Sequence, residues 1–208
     1  MKRIFMLAIG IFSININAAQ SAVTDRGEIV ILNDDGTWSH QDKSKDISSV
    51  PTNSQKFETP KGSSFLLKSQ KNDSAFWLNA SKWNFKKAQE GSATEYEFEL
   101  KGKDLYAMAV TEEVSIPIDS LGEIALENAK EVAPDTRIIK KEYRTVNGQK
   151  VLHLEFAGTI QGINFTYIAY YYSDKSGSTQ FLAYTGTNLV SKYRVDINDL
   201  LNGFTSQK

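Results

Sequence analysis

His40 and His153 are the only imidazoles in a chain of 208 residues that has no cysteine, so nucleophilic, acid–base or metal chemistry is sought first around them. A Ser-His-acid relay needs an imidazole held by a carboxylate and touching a nucleophile. Neither "TWSHQD" nor "VLHLEF" supplies that set locally, and no H-x-x-x-H metal pair is present. His153 reads as a strand histidine on the polar side of its segment, exposed or hydrogen-bonded. "NDDG", residues 33–36, invites a calcium reading. Counting back from Gly36 as the sixth loop position, however, puts Ile31 where the first oxygen ligand belongs. Asp34 and Asp35 are better explained as turn formers. Glu95, Glu97 and Glu99, or Glu112 with Glu113, could provide an acid–base pair, but carboxylates along one strand face ordinarily solvate a sheet. Neither standard glycine-rich phosphate loop occurs. The reading has no catalytic residue, no metal and no cofactor. Its alternative is an envelope hydrolase or carbohydrate-active enzyme using carboxylates or His153.

Aromatic residues carry the stronger signal. Tyr170, Tyr171, Tyr172 and Tyr184 bunch in one stretch, and tyrosine offers contact area at small entropic cost. Trp38 follows an acidic turn and has no obvious core to enter. Trp38, Tyr170, Tyr172 and Tyr184 are therefore the candidate partner-binding residues, with packing under a helix as the competing role for the tyrosines.

The elements that would position them can be read in order. "EIVILNDDGTW" has two strand-like arms around Asp35-Gly36, a hairpin signal. An isolated two-stranded hairpin is marginal in water, so this one needs something to pack on. Residues 43–56 are polar, contain Pro51, and read as a linker. Beyond Phe57 come short strands in "SFLLK", "AFWLN", "EYEFEL" and "DLYAMAV". A helix follows over 119–133, with Ser120 and Glu123 as a capping box and Pro134 as its stop. Turns at Val146-Asn147-Gly148, Gln161-Gly162 and Asp174–Ser178 then join four strands in an antiparallel meander, and a helix over 189–202 closes the chain. In "INFTYIAYYY" one face carries Ile163, Phe165, Tyr167, Ala169 and Tyr171, the other Ile168, Tyr170 and Tyr172. A strand apolar on both sides requires cover on both, which two helices on opposite faces would give.

At the N-terminus, Lys2 and Arg3 precede an apolar run from Ile4 to Phe12, and Ala18 and Ala19 follow: the order of a secretory signal, residues 1–18. The run falls short of the roughly 20 apolar residues of a spanning helix. The mature chain, about −3 in net charge once Lys2 and Arg3 are removed, gives no electrostatic case for nucleic acid or an anionic membrane. Without cysteine there is neither a disulfide nor a thiol for a bacterial lipid anchor. The expected location is the periplasm, as a soluble protein after signal cleavage, with secretion as the alternative.

From residue 57 to 206 the chain resembles the PsbP-like group, which includes the periplasmic DcrB-like proteins. The resemblance rests on the order of "SLGEIALENAKEVA", of the meander containing "VNGQKVLHLEF", "GINFTYIAYYY" and "TQFLAYT", and of the final "YRVDINDLLNGF". It implies an α+β fold, a central antiparallel sheet flanked by helices, used as an accessory, assembly or chaperone-like scaffold that binds through surfaces. An immunity-type inhibitor is a variant of that role. DcrB-like proteins are typically lipid-anchored, and this chain departs from them there. The segment around "DGTW" resembles N-terminal segments of exported bacterial proteins of unassigned function. The expected organisation is a signal at 1–18, a hairpin at 19–42, a linker at 43–56 and a PsbP-like domain at 57–208, with an envelope protein as partner.

Overall fold

The computed structural model describes residues 20–24, 29–32, 36–40 and 50–207. The chain forms two compact units, Met1–Lys43 and Ser44–Lys208. The expected signal segment, residues 33–35 of the expected turn and most of the expected linker lie outside the described residues.

In the first unit β1 (Gln20–Val23), β2 (Ile29–Leu32) and β3 (Trp38–His40) form an antiparallel sheet in the order β1-β2-β3. The expected hairpin is β2–β3, with Leu32 opposite Trp38 and Val30 opposite His40. Its missing support is β1, which pairs Ala22 with Val30 and was not legible as a strand. Val30 is buried, as an inner position of the middle strand should be.

The second unit is built on a mixed eight-stranded sheet in the order β4-β10-β11-β12-β13-β9-β8-β7. Its strands are β4 (Thr52–Phe57), β7 (Trp83–Lys87), β8 (Thr94–Leu100), β9 (Tyr106–Glu112), β10 (Arg137–Val146), β11 (Gln149–Ile160), β12 (Ile163–Asp174) and β13 (Gly177–Gly186). A smaller sheet, β14-β6-β5, combines β5 (Phe65–Lys68), β6 (Ser74–Leu78) and the C-terminal β14 (Phe204–Ser206). The helices are α1 (Ile118–Val132) and α2 (Val190–Leu201), the latter entered through a 3₁₀ turn at Thr187–Leu189.

Four expectations need correction. The large sheet is mixed, because β4 runs parallel to β10, with Tyr143 opposite Thr52 and Val146 opposite Phe57. That strand occupies the end of the expected linker; its polar side chains are tolerated because β4 is an edge strand with most residues exposed. Helix α1 begins at Ile118 behind Pro117, which leaves Ser120 inside the helix and no side-chain cap. Proline suits such an entry, since the first helical turn leaves N–H groups unpaired in any case. Finally, a bulge between Thr94 and Tyr96 turns Glu95 inward, away from Glu97 and Glu99.

The two faces of β12 go where its alternation sends them. Ala169 and Tyr171 join Leu152, Leu154 and Phe156 beneath Leu121 and Leu126 of α1. Ile168, Tyr170 and Tyr172 join the larger core under α2 and the small sheet, with Phe76, Phe98, Phe181, Tyr193, Ile197 and Phe204. In that larger core Phe76 stands 4.6 Å from Phe181 and 6.2 Å from both Phe98 and Phe204, ring centre to ring centre. Glu95, buried at its edge, accepts hydrogen bonds from Ser69 Oγ and the Gln70 N–H, each at 2.7 Å, and from Thr111. This satisfied carboxylate ties the small sheet to the large one.

The β10–β11 turn does more than reverse the chain. Asn147 and Gly148 both take positive φ, +47° and +82°, as a two-residue hairpin turn requires. The Asn147 amide donates to the carbonyls of Asn202 (2.8 Å) and Phe204 (2.7 Å), and its oxygen accepts from the Thr59 N–H (2.9 Å).

Candidate functional site

Residues that could do chemistry gather on the α2 side of β10, β11 and β12. Register places Glu142 opposite His153 and His153 opposite Tyr170. Arg144 Nε donates to Glu142 at 2.6 Å, Asn53 adds a bond at 3.2 Å, and Lys140 Nζ lies 3.1 Å away. Burial works against the Glu142 carboxylate, but these donors outweigh it and hold the group down at about 2. Arg144 also donates to the Tyr170 hydroxyl (3.2 Å), which donates to Asn202 (2.8 Å). The guanidinium lies 4.6 Å from the Phe57 ring centre. Next along the sheet, Arg194 grips Glu155 with two bonds of 2.8 Å.

His153 is therefore not on a polar surface. It is 2% exposed, its ring stands edge-on to Tyr170, and Nδ1 lies 3.3 Å from the Ala169 carbonyl. Burial, seconded by Arg144, brings its pKa down to about 3, so the imidazole is neutral at physiological pH. General acid–base work needs a group whose pKa lies near the working pH and which reaches substrate. A buried neutral histidine beside carboxylates held by arginines is instead a satisfied polar network, which fixes the register of three strands.

The binding candidates separate in the same way. Tyr170 and Tyr172 are 1% and 6% exposed, and their hydroxyls are used internally: Tyr172 donates to Asp174 at 2.9 Å. Both are core residues, because even-numbered positions of β12 face α2 and the small sheet. Trp38 is 57% exposed in its own sheet.

Tyr184 lies on the opposite face, in a row that could not be seen without the register. Phe156, Tyr167, Tyr184 and Tyr106 are directly opposed on successive strands β11, β12, β13 and β9. Their rings stack along the row, with centres 5.1, 5.5 and 5.8 Å apart and planes 10°, 27° and 29° from parallel. Phe156 is buried beside α1, whereas the three tyrosines are half-buried. Helix α1 packs on β11 and β12, so the row emerges from beneath it onto β13 and β9. Burial, with Tyr167, Glu97 and Tyr106 nearby, pushes Tyr184 up to about 12; burial also raises Tyr167 and Tyr106. All three keep their protons at neutral pH, and none hydrogen-bonds another described residue. Beyond Tyr106 the row continues to Glu99, beside the Lys86–Glu97 pair (2.9 Å). The result is a polar-tipped apolar strip with a charged end, suited to contact with a protein surface.

Among the described residues no cluster of three or more His, Asp or Glu side chains is arranged to hold a metal, and no helix is long and apolar enough to cross a membrane.

No protein-family model matches the chain, and no curated protein matches it either. Solved structures do. Cyanobacterial PsbP (CyanoP) from Synechocystis sp. PCC 6803 superposes with a TM-score of 0.54 at 12% identity, covering 71% of this chain and 95% of that one. PA94, a protein of unknown function from Pseudomonas aeruginosa, gives 0.45 at 9% identity over 69% of this chain and 97% of its own. A protein from Bacteroides thetaiotaomicron gives 0.40 at 9% identity over 65% of this chain and 46% of its own. The CyanoP superposition makes the fold PsbP-like.

Proposed function

We propose that this chain is an exported, non-enzymatic accessory protein of the bacterial envelope, a DcrB-like assembly or chaperone-like factor that holds a protein partner. The N-terminal Lys2-Arg3, apolar run and Ala18-Ala19 support export to the periplasm, and the PsbP-like scaffold supports a role exercised through surfaces. The observation that carries the reading is the row Phe156–Tyr167–Tyr184–Tyr106. Three half-buried phenols whose hydroxyls bond no other described residue stand on a sheet face that α1 covers only in part. Tyrosine is among the residues enriched at binding hot spots. Inhibition of an envelope toxin is one form of this role.

The test is a photo-crosslinking residue placed at Tyr106 in living envelopes, with the exposed Lys103 as control position. A discrete protein adduct formed from Tyr106, absent from Lys103 and lost on adding Tyr184→Ala, is the expected result. Tyr184→Ala itself should cost about 1–2 kcal/mol of stability, since the ring is only half-buried, and leave the fold intact. Equal labelling from both positions, or an adduct indifferent to Tyr184, would refute this surface.

A further inference from the structure

The eight-stranded sheet ends in two unlike edges. At β7, Phe85 stacks on Phe65 of β5 with ring centres 5.1 Å apart, and the remaining exposed positions are polar or cationic. At the other end β4 covers only the second half of β10. The ladder begins with the Tyr143 N–H donating to the Pro51 carbonyl at 2.8 Å. Proline has no N–H to extend it, and Val50 turns away to pack against the core beneath α1. Arg137–Lys141 pairs with β11 on its inner side, and among the described residues nothing pairs with its outer side. Because backbone groups alternate along a strand, the N–H and C=O of Lys141 point to the same open side as those of Tyr143.

Three further observations describe what this edge would accept. Ile138 and Ile139 are 50% and 51% exposed, so apolar surface lies in water along it. Arg137 and Lys141 flank them, whereas the nearby acids are engaged: Asp135 with Thr159, and Glu142 with Arg144, Asn53 and Lys140. Lastly, a shallow cavity of about 520 Å³, wide open to solvent, lies between Ile139 and helix α2. Its floor is Glu155, locked by Arg194, and Thr166, whose hydroxyl lies 3.0 Å from that of Thr187; Val190 and Ser191 form the far wall. A bulge at Ile138/Lys140 and flanking cations are common means of keeping an edge unpaired. They do not account for two adjacent exposed isoleucines beside an open depression.

We propose that the first half of β10 is a docking edge for an extended acidic segment of a partner protein, which adds to the sheet as a strand and seats a small side chain in the cavity beside α2. The backbone of Lys141 supplies main-chain pairing, Arg137 and Lys141 select carboxylates, and Ile139, Val190 and the Thr187 and Ser191 hydroxyls select the seated side chain. Ile138 of this edge stands opposite Phe156, where the tyrosine row begins, but the main-chain edge and the cavity on the α2 side use none of the row's tyrosines.

The probe is a fluorescent peptide of roughly ten residues, long enough to span such an edge, alternating Asp with Val and Thr. Controls carry Lys in place of Asp, or N-methyl groups on alternate residues. Binding to the exported full chain is followed by anisotropy, and exchange of the Lys141 amide by hydrogen exchange. The acidic peptide should bind at least about tenfold tighter than either control and slow Lys141 exchange. Arg137→Glu with Lys141→Glu should remove that preference with an unchanged melting profile, whereas Tyr184→Ala should leave it intact. Equal binding of acidic and basic peptides, or undiminished binding after N-methylation, would overturn the proposal. So would Lys141 protection that appears merely on raising protein concentration, which would assign the edge to a second copy.

Discussion

The two faces of the large sheet solve the same problem differently. Toward α2, the apolar positions of β12, β13, β9 and β8 are roofed by a helix and a second sheet, and the charged groups at the margin are paired. Toward α1, a single helix covers two strands, and the aromatic row runs on past its shelter. Closure on one side gives stability; incomplete closure on the other leaves area for contact.

This contrast can be broken most severely on the closed side. Phe181 is fully buried between Phe76 and Phe98, so Phe181→Ala should cost about 3–5 kcal/mol in denaturant unfolding. A loss no greater than that of Tyr184→Ala would show that the two faces are packed alike.

A smaller effect is expected from pH. Burial holds His153 down at about 3 in the folded chain against an ordinary value of 6.5, so protons bind the unfolded chain first. Its contribution is intact above pH 6.5 and declines as pH falls toward 3, at about 1.4 kcal/mol per pH unit at the steepest. Glu142, held at about 2, adds its own loss from about pH 4.5 downward. His153→Phe should flatten the melting-temperature profile between pH 6.5 and 4.5, leaving the Glu142 slope below it. An unchanged profile would mean that the imidazole reaches water.

The smallest effect has the opposite sign. Beneath α1 the Tyr171 hydroxyl is fully buried without a hydrogen-bond partner among the described residues, and burial raises its pKa. Removing an unsatisfied buried hydroxyl returns part of its desolvation cost, so Tyr171→Phe should be neutral or stabilising by up to about 1 kcal/mol. Clear destabilisation would mean that the hydroxyl is bonded after all, and that the α1 face is better satisfied than its geometry implies.

Much of the scaffold could be read from alternation. "INFTYIAYYY" announced a strand needing cover on both faces, and Asn147-Gly148 and Gln161-Gly162 announced turns whose positive φ values the fold requires. Strand β4 was hidden because an edge strand needs no apolar alternation, and "TNSQKF" offers none. The tyrosines show the sharper limit. Tyr170, Tyr172 and Tyr184 looked equivalent in sequence, yet parity within one strand buries the first two, while the row holding Tyr184 is assembled from four strands. Its members Tyr106 and Tyr167 have no local mark; only cross-strand register brings them together. The inward turn of Glu95 likewise depends on a bulge that composition does not encode.

Asn147 carries a consequence for how the molecule comes apart. Hairpin tips ordinarily fray early, at little free-energy expense. Here one amide at such a tip fastens the exit of β4, the end of α2 and the start of β14, three segments distant in sequence. The tip is thus a clasp: opening it unfastens both termini of the second unit together, so the entering strand and the C-terminal tail should be lost as a single cooperative event.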